Sequence, residues 1–151
     1  MSEDNMDLLK HFINTDKTSK NLNTPKGEVH TPYHGNVEQQ TLKNPNYRQT
    51  LFTGKHSQLI LMTLKPKQQI GNEVHPHVDQ FFRIESGKAK FSIDNGKTKF
   101  VEGSGGAAIV PSGHYHNVTN ASPNKPLKLY TIYSPSNHPP GTLQKVRPKN
   151  D

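Results

Sequence analysis

Glu73-Val74-His75-Pro76-His77-Val78-Asp79-Gln80, closed by Gly87, and Pro111-Ser112-Gly113-His114-Tyr115-His116, preceded by Gly105 and closed by Asn120, are the stretches that decide the fold. They stand in the patterns E-x-H-x4-Q-x6-G and G-x5-P-x-G-x2-H-x3-N. Between them lie two alternating segments, Lys88–Asp94 and Lys97–Glu102, joined at Asn95-Gly96. That dipeptide predicts a hairpin, because a type I′ turn needs positive φ at both central residues. The first stretch alternates in the manner of a strand. Side chains at i and i+2 share one face about 6.6 Å apart, whereas those at i and i+4 are about 13 Å apart. One ion with ligand distances near ~2.1 Å can therefore take Glu73 with His75, or His75 with His77, but not both ends.

Outward from this centre the reading is all strand. Ser57–Leu64 is a buried run ended by Lys65-Pro66, and Glu73–His77 and Gln80–Glu85 follow. After the hairpin come Ala107–Val110, His114–Thr119 and Leu127–Tyr133. Short strands at this spacing, separated by Gly, Pro and Asn, predict an all-β sandwich or jelly-roll barrel over residues 47–134. A polar, partly disordered extension is expected over residues 1–40, with apolar spacing over Asp7–Ile13 that suits a short helix. Residues 135–151 form a Pro-rich basic tail, wrapping or disordered.

Composition limits the function. The 151 residues include no Cys, which excludes disulfides, thiolate metal ligands and cysteine nucleophiles. Lys and Arg (19) exceed Asp and Glu (12) by 19 − 12 = 7, but the lysines alternate with apolar residues, as in Lys88-Ala89-Lys90-Phe91. That is the solvent face of a strand rather than a nucleic-acid surface. No apolar run reaches membrane-spanning length, and residues 1–20 are too charged for a secretory signal. A cytoplasmic protein with neither nucleic-acid nor membrane partners is expected.

The two stretches resemble the paired motifs of the cupin superfamily, specifically the small single-domain cupins labelled mannose-6-phosphate isomerase-like. The resemblance extends through Tyr47–Met62 and Leu127–Thr142 and implies a double-stranded β-helix barrel. The second motif matches in full. In the first, Glu73 replaces the usual His, Gln80 replaces the usual Glu, and Lys67 stands where the opening Gly belongs. Counting back from Gly87, the resemblance selects the Glu73/His75 register, with His77 at the rim. It implies one divalent transition metal (Fe, Mn, Ni or Zn) held by Glu73, His75, Gln80 and His116, with Glu73 also the candidate catalytic proton carrier. Gln80, a weak neutral donor, can instead orient a bound water. His114, two residues before His116, is the alternative ligand, and Asn120 a strand-end hydrogen-bonding residue.

By alternation, Phe82 and Ile84 share the face of Gln80 and give the pocket apolar walls, while Phe81, Arg83 and Glu85 face away. Tyr130 and Tyr133 lie on opposite faces, so one alone reaches the cavity. The functional expectation is a metalloenzyme acting on a small oxygenated substrate (a sugar, sugar phosphate or hydroxy/keto acid) by isomerase-like Lewis-acid chemistry. The alternatives are an Fe(II) dioxygenase and a non-catalytic small-molecule sensor. The resemblance also implies a homodimer.

Overall fold

The computed structural model describes residues 31–149 and 151. Among the described residues the chain forms one short helix, α1 (Val37–Lys43), and nine strands: β1 (Arg48–Thr53), β2 (Gln58–Leu64), β3 (Asp79–Ser86), β4 (Ala89–Ile93), β5 (Thr98–Glu102), β6 (Ala107–Val110), β7 (His116–Asn120), β8 (Leu127–Ser134) and β9 (Leu143–Gln144). Two antiparallel sheets result, one ordered β6-β3-β8-β2-β1-β9 and the other β5-β4-β7. The jelly-roll expectation holds.

Alternation builds the core. Ile60, Met62 and Leu64 of β2, Phe82 and Ile84 of β3, and Leu127 and Leu129 of β8 point from the large sheet into one apolar cluster. Ala89, Phe91 and Val118 close it from the small sheet. Phe82 meets Phe91 edge-on across the two layers, with centroids 5.3 Å apart. Nonpolar burial of this kind supplies most of the drive to fold.

The turns follow residue chemistry. At the hairpin Asn95 and Gly96 take φ of 56° and 88°, and Lys97 N–H donates to the Asp94 carbonyl at 3.3 Å, as a type I′ turn requires. Gly87 is obligatory by close approach, since a Cβ there would sit 2.7 Å from the Pro126 carbonyl oxygen. Asn120 ties strand ends, donating to the carbonyls of Leu64, Lys65 and Lys125.

The turn after β2 carries a strained residue. Gln68 N–H donates to the Lys65 carbonyl at 3.0 Å, Pro66 takes the first central position, and Lys67 takes the second at φ 64°. A type II turn wants Gly there. The left-handed conformation costs a side chain about 1–2 kcal/mol, and the extra unfolded-state freedom of Gly returns about 0.5–1 kcal/mol of that. Lys67→Gly is therefore expected to raise stability by about 0.5 kcal/mol, read as a higher urea midpoint at unchanged m-value.

Three expectations need correction. Glu73–His77 is not a strand: only Glu73 bridges, to His116, and the chain turns at Pro76-His77. Pro76 has no N–H for a ladder, so pairing stops there. Strand β7 begins at His116 rather than His114. Helix α1 was not anticipated. It starts at Asn36, whose Oδ1 accepts from Gln39 N–H at 3.0 Å, and buries Thr41. The suggested helix over Asp7–Ile13 lies outside the described residues.

The segment after β8 wraps the barrel. Strand β9 pairs with the β1 edge, and buried Gln58 holds the backbone of Asn137 and His138 through three hydrogen bonds. No helix among the described residues is long and apolar enough to cross a membrane.

Candidate metal centre

Backbone pairing brings the site together. Glu73 and His116 exchange both hydrogen bonds of an antiparallel bridge, at 2.9 and 2.8 Å, which sets their side chains next to each other on one face. His75, two residues on, shares that face, and its carbonyl accepts from Gly113 N–H at 2.9 Å. The glycine turn of the second motif thus anchors the ligand segment of the first. Gly113 sits at φ 84°, a conformation that favours Gly.

Glu73, His75 and His116 offer ligand atoms that all lie within 4.8 Å of one another. The Glu73 carboxylate stands 3.6 Å from His75 Nε2 and 3.7 Å from His116 Nε2. Burial pushes the Glu73 carboxyl up, but the two neighbouring histidines outweigh it and hold it at about 2. It is a carboxylate at neutral pH.

Gln80 completes the group, and Thr131 fixes how. The Thr131 hydroxyl gives its one hydrogen to the Phe81 carbonyl at 2.8 Å. It can then only accept from Gln80 Nε2, at 2.9 Å. Gln80 Oε1 is thereby turned to His116 Nε2, 3.1 Å away. His116 Nδ1 faces the His114 carbonyl at 3.0 Å and must donate to it. Between Nε2 and Oε1, a proton or a shared cation is needed.

The residues fit a divalent ion. Nε2 of His75 is buried and has no hydrogen-bond partner, a costly arrangement that a metal would relieve. Two imidazoles and a carboxylate lie close enough to share one ion, with the Gln80 amide oxygen against one of those imidazoles, a donor set suited to first-row transition metals. His77 is exposed and outside the group, as is His114, which pairs instead with Asp94 at 2.8 Å. Phe82 backs His116 with centroids 6.2 Å apart, whereas Ile84 lies deeper in the core.

Replacing Gln80 tests the Thr131 lock. In Gln80→Glu a carboxylate oxygen would face a hydroxyl already committed to Phe81, so the metal-free protein is expected to lose roughly 1–3 kcal/mol. The added charge should at the same time tighten Mn(II) or Ni(II) binding about tenfold, in the manner of tuned donor sets. Thermal melts with and without metal check both signs: a lower metal-free midpoint and a larger metal-induced rise.

Two further groups border the site. Tyr133 of β8 is 1% exposed and lies edge-on to His75, centroids 5.8 Å apart. Of the two tyrosines distinguished by parity, it is the inward one; Tyr130 packs on Phe81. Burial, then the Glu73 charge, raises the Tyr133 phenol and keeps it protonated. His138 stands edge-on to the same ring at 5.3 Å. The sequence reading placed it in the tail, because nothing local marks the Gln58 clamp that brings it inward.

Burial and then the Arg48 charge lower the His138 imidazole from the ordinary 6.5 to about 4. Between those values the unfolded chain binds more protons, so stability rises with pH across the window. The contribution is fully present above 6.5 and lost as pH falls towards 4. His138→Asn should flatten the pH dependence of the urea midpoint over that interval and leave it unchanged near pH 8.

A family model described as the cupin domain matches residues 60–133. Protein L612 of Acanthamoeba polyphaga mimivirus is 47% identical over 119 residues, covering 78% of this chain and 74% of the relative. YrkC of Bacillus subtilis (strain 168) is 43% identical over 120 residues, covering 77% of this chain and 64% of YrkC, so the match leaves over a third of that relative outside. The crystal structure of BH2720 from Bacillus halodurans superposes with a TM-score of 0.75 at 38% identity, covering 78% of this chain and 92% of that one.

Proposed function

The chain belongs to the cupin family, and from that premise we propose that its barrel is a divalent-metal-dependent enzyme acting on a small hydroxy-carbonyl compound by proton transfer. The observation that carries this reading is the buried, unpartnered Nε2 of His75 beside Glu73 and His116, with a neutral imidazole and a protonated phenol alongside. A divalent ion held by Glu73, His75, His116 and Gln80 would supply Lewis-acid polarisation of a carbonyl or hydroxyl oxygen.

The chain's own groups divide the remaining work. Glu73, held at about 2, is a weak base at neutral pH, so it serves better as a ligand than as the proton carrier. His138 is lowered only to about 4, so it is the stronger base of the two, and as it is not a metal ligand it is the group left to accept a proton from the carbon next to the carbonyl. Tyr133, kept protonated, can donate a hydrogen bond to the substrate oxygen on which charge develops. The surrounding Phe82 and Val110 are buried and exclude water from that face.

Elemental analysis of protein purified without chelator or polyhistidine tag tests the metal. The expected result is near-stoichiometric Mn, Ni, Zn or Fe, lost in His75→Ala. Solvent-deuterium incorporation into a panel of aldoses and hydroxy acids tests the proton transfer, with His138→Ala expected to slow it. Iron with oxygen uptake and no deuterium exchange would replace this reading with a dioxygenase. Bound metal without turnover of any compound would leave a binding module, and no metal after reconstitution would end the proposal.

A further inference from the structure

Outside the metal centre, one buried cation has a partner that is not part of the barrel. Arg48 of β1 is 1% exposed and stands opposite Met62 in the β1–β2 ladder. Its Nη2 and Nη1 reach the two carboxylate oxygens of Asp151 at 3.0 and 3.3 Å, a forked pair. Tyr47 donates its hydroxyl to the same carboxylate, Gln144 accepts from Nη1, and the guanidinium lies over the Tyr47 ring at 5.0 Å. Arg48 Nε is buried with no partner, so the cradle has a donor to spare.

This cradle adjoins the metal centre. Asp151 rests against Gly71, where a Cβ would meet its carbonyl oxygen at 3.0 Å, and Gly71 is two residues before Glu73. Arg147 donates to the Ile70 carbonyl at 3.1 Å and to the Asp151 carbonyl. Tyr133, edge-on to His75 at 5.8 Å and to His138 at 5.3 Å, feels the charges of both Glu73 and Arg48, as does His138. The Asp151 side chain is 18% exposed and the Arg48 side chain 1%, so the carboxylate enters from the surface side.

We propose that Arg48 and Tyr47 form a carboxylate site beside the metal centre, that Asp151 occupies it as an internal stand-in, and that the substrate is a small hydroxy acid whose carboxylate displaces Asp151. The proposal names the substrate class of the metal site and rests on that reading for the hydroxyl end of the substrate. A buried guanidinium without an anion is costly, which explains why the fold supplies one of its own when substrate is absent. The forked geometry matches a planar carboxylate. Asp151 then acts as a competitor. If it is docked about nine-tenths of the time, its removal tightens binding about tenfold.

Glycolate, acetate and inorganic phosphate titrated calorimetrically into the full chain test this, in metal-loaded and metal-free forms of wild type, Asp151→Ala and the double variant Arg48→Lys with Asp151→Ala. Glycolate is expected to bind Asp151→Ala about tenfold more tightly than wild type, and the double variant is expected to lose that gain. In wild type, saturating glycolate should also speed amide exchange over residues 143–149, a readout that needs no variant. Equal affinities for wild type and Asp151→Ala, with unchanged exchange, would overturn the proposal. So would a gain for phosphate with none for the carboxylates. A carboxylate gain in metal-free protein alongside failure to bind any metal would retain the anion site and discard the metal reading, which separates the two.

Discussion

His116→Ala is expected to weaken divalent-metal binding by more than about 100-fold, beyond the loss usual for residues that only orient a ligand. His116 is 2% exposed and contributes a nitrogen aimed at both Gln80 and Glu73, with its other nitrogen anchored on the His114 carbonyl. Alanine removes the donor, and no neighbouring side chain can replace it, since His114 is turned outward to Asp94. His75→Ala should do the same, while Glu73→Ala should bind metal weakly but measurably, because two imidazoles remain. His77→Ala should be silent. Mn(II) titration followed by electron paramagnetic resonance reads all four variants. If His77→Ala loses the metal and Glu73→Ala keeps it, the ligand register is wrong by two residues.

Much of this centre is legible in the sequence, for a physical reason. Period-two alternation in β3 puts Gln80, Phe82 and Ile84 inside and Arg83 outside, and all four are found there. Turn chemistry marks Asn95-Gly96 and Gly113. The segment from Glu73 to His77 alternates like a strand, yet Pro76 denies it a ladder, and Glu73 and His75 meet because one bridge to His116 suffices. Asn36 and acidic Glu38 are the cap signals of α1, but with Val37 and Leu42 its only apolar residues the seven-residue helix has little apolar periodicity to detect. Contacts made across the fold left no local trace. The Thr131 lock on Gln80 joins residues 51 apart, and Arg48 meets Asp151 across 103. Such pairs are fixed by topology, and no window along the chain contains both partners.

Phe82→Ala is expected to carry the largest stability cost, about 3–5 kcal/mol, typical of a phenylalanine removed from a packed core. Phe82 is fully buried on the middle of β3, paired to Ala108 on one side and Thr131 on the other. Its ring spans the gap between the sheets to reach Phe91, so the cavity would open where both layers meet and neither can collapse. Against a total of roughly 5–15 kcal/mol for a domain, that is a large share. Phe100→Ala is the comparison, because Phe100 stacks on Phe91 at 4.9 Å but is only partly buried; its loss should cost less than half as much. Urea unfolding of the metal-free protein measures both. Phe82 also backs His116, so its removal should shrink the metal-induced rise in midpoint, whereas Phe100→Ala should leave that rise intact. Equal costs for the two variants would mean that the sheets are held together at the Phe91–Phe100 stack. An unaltered metal response in Phe82→Ala would mean that the bridge to Glu73 alone orients His116, without help from the core behind it.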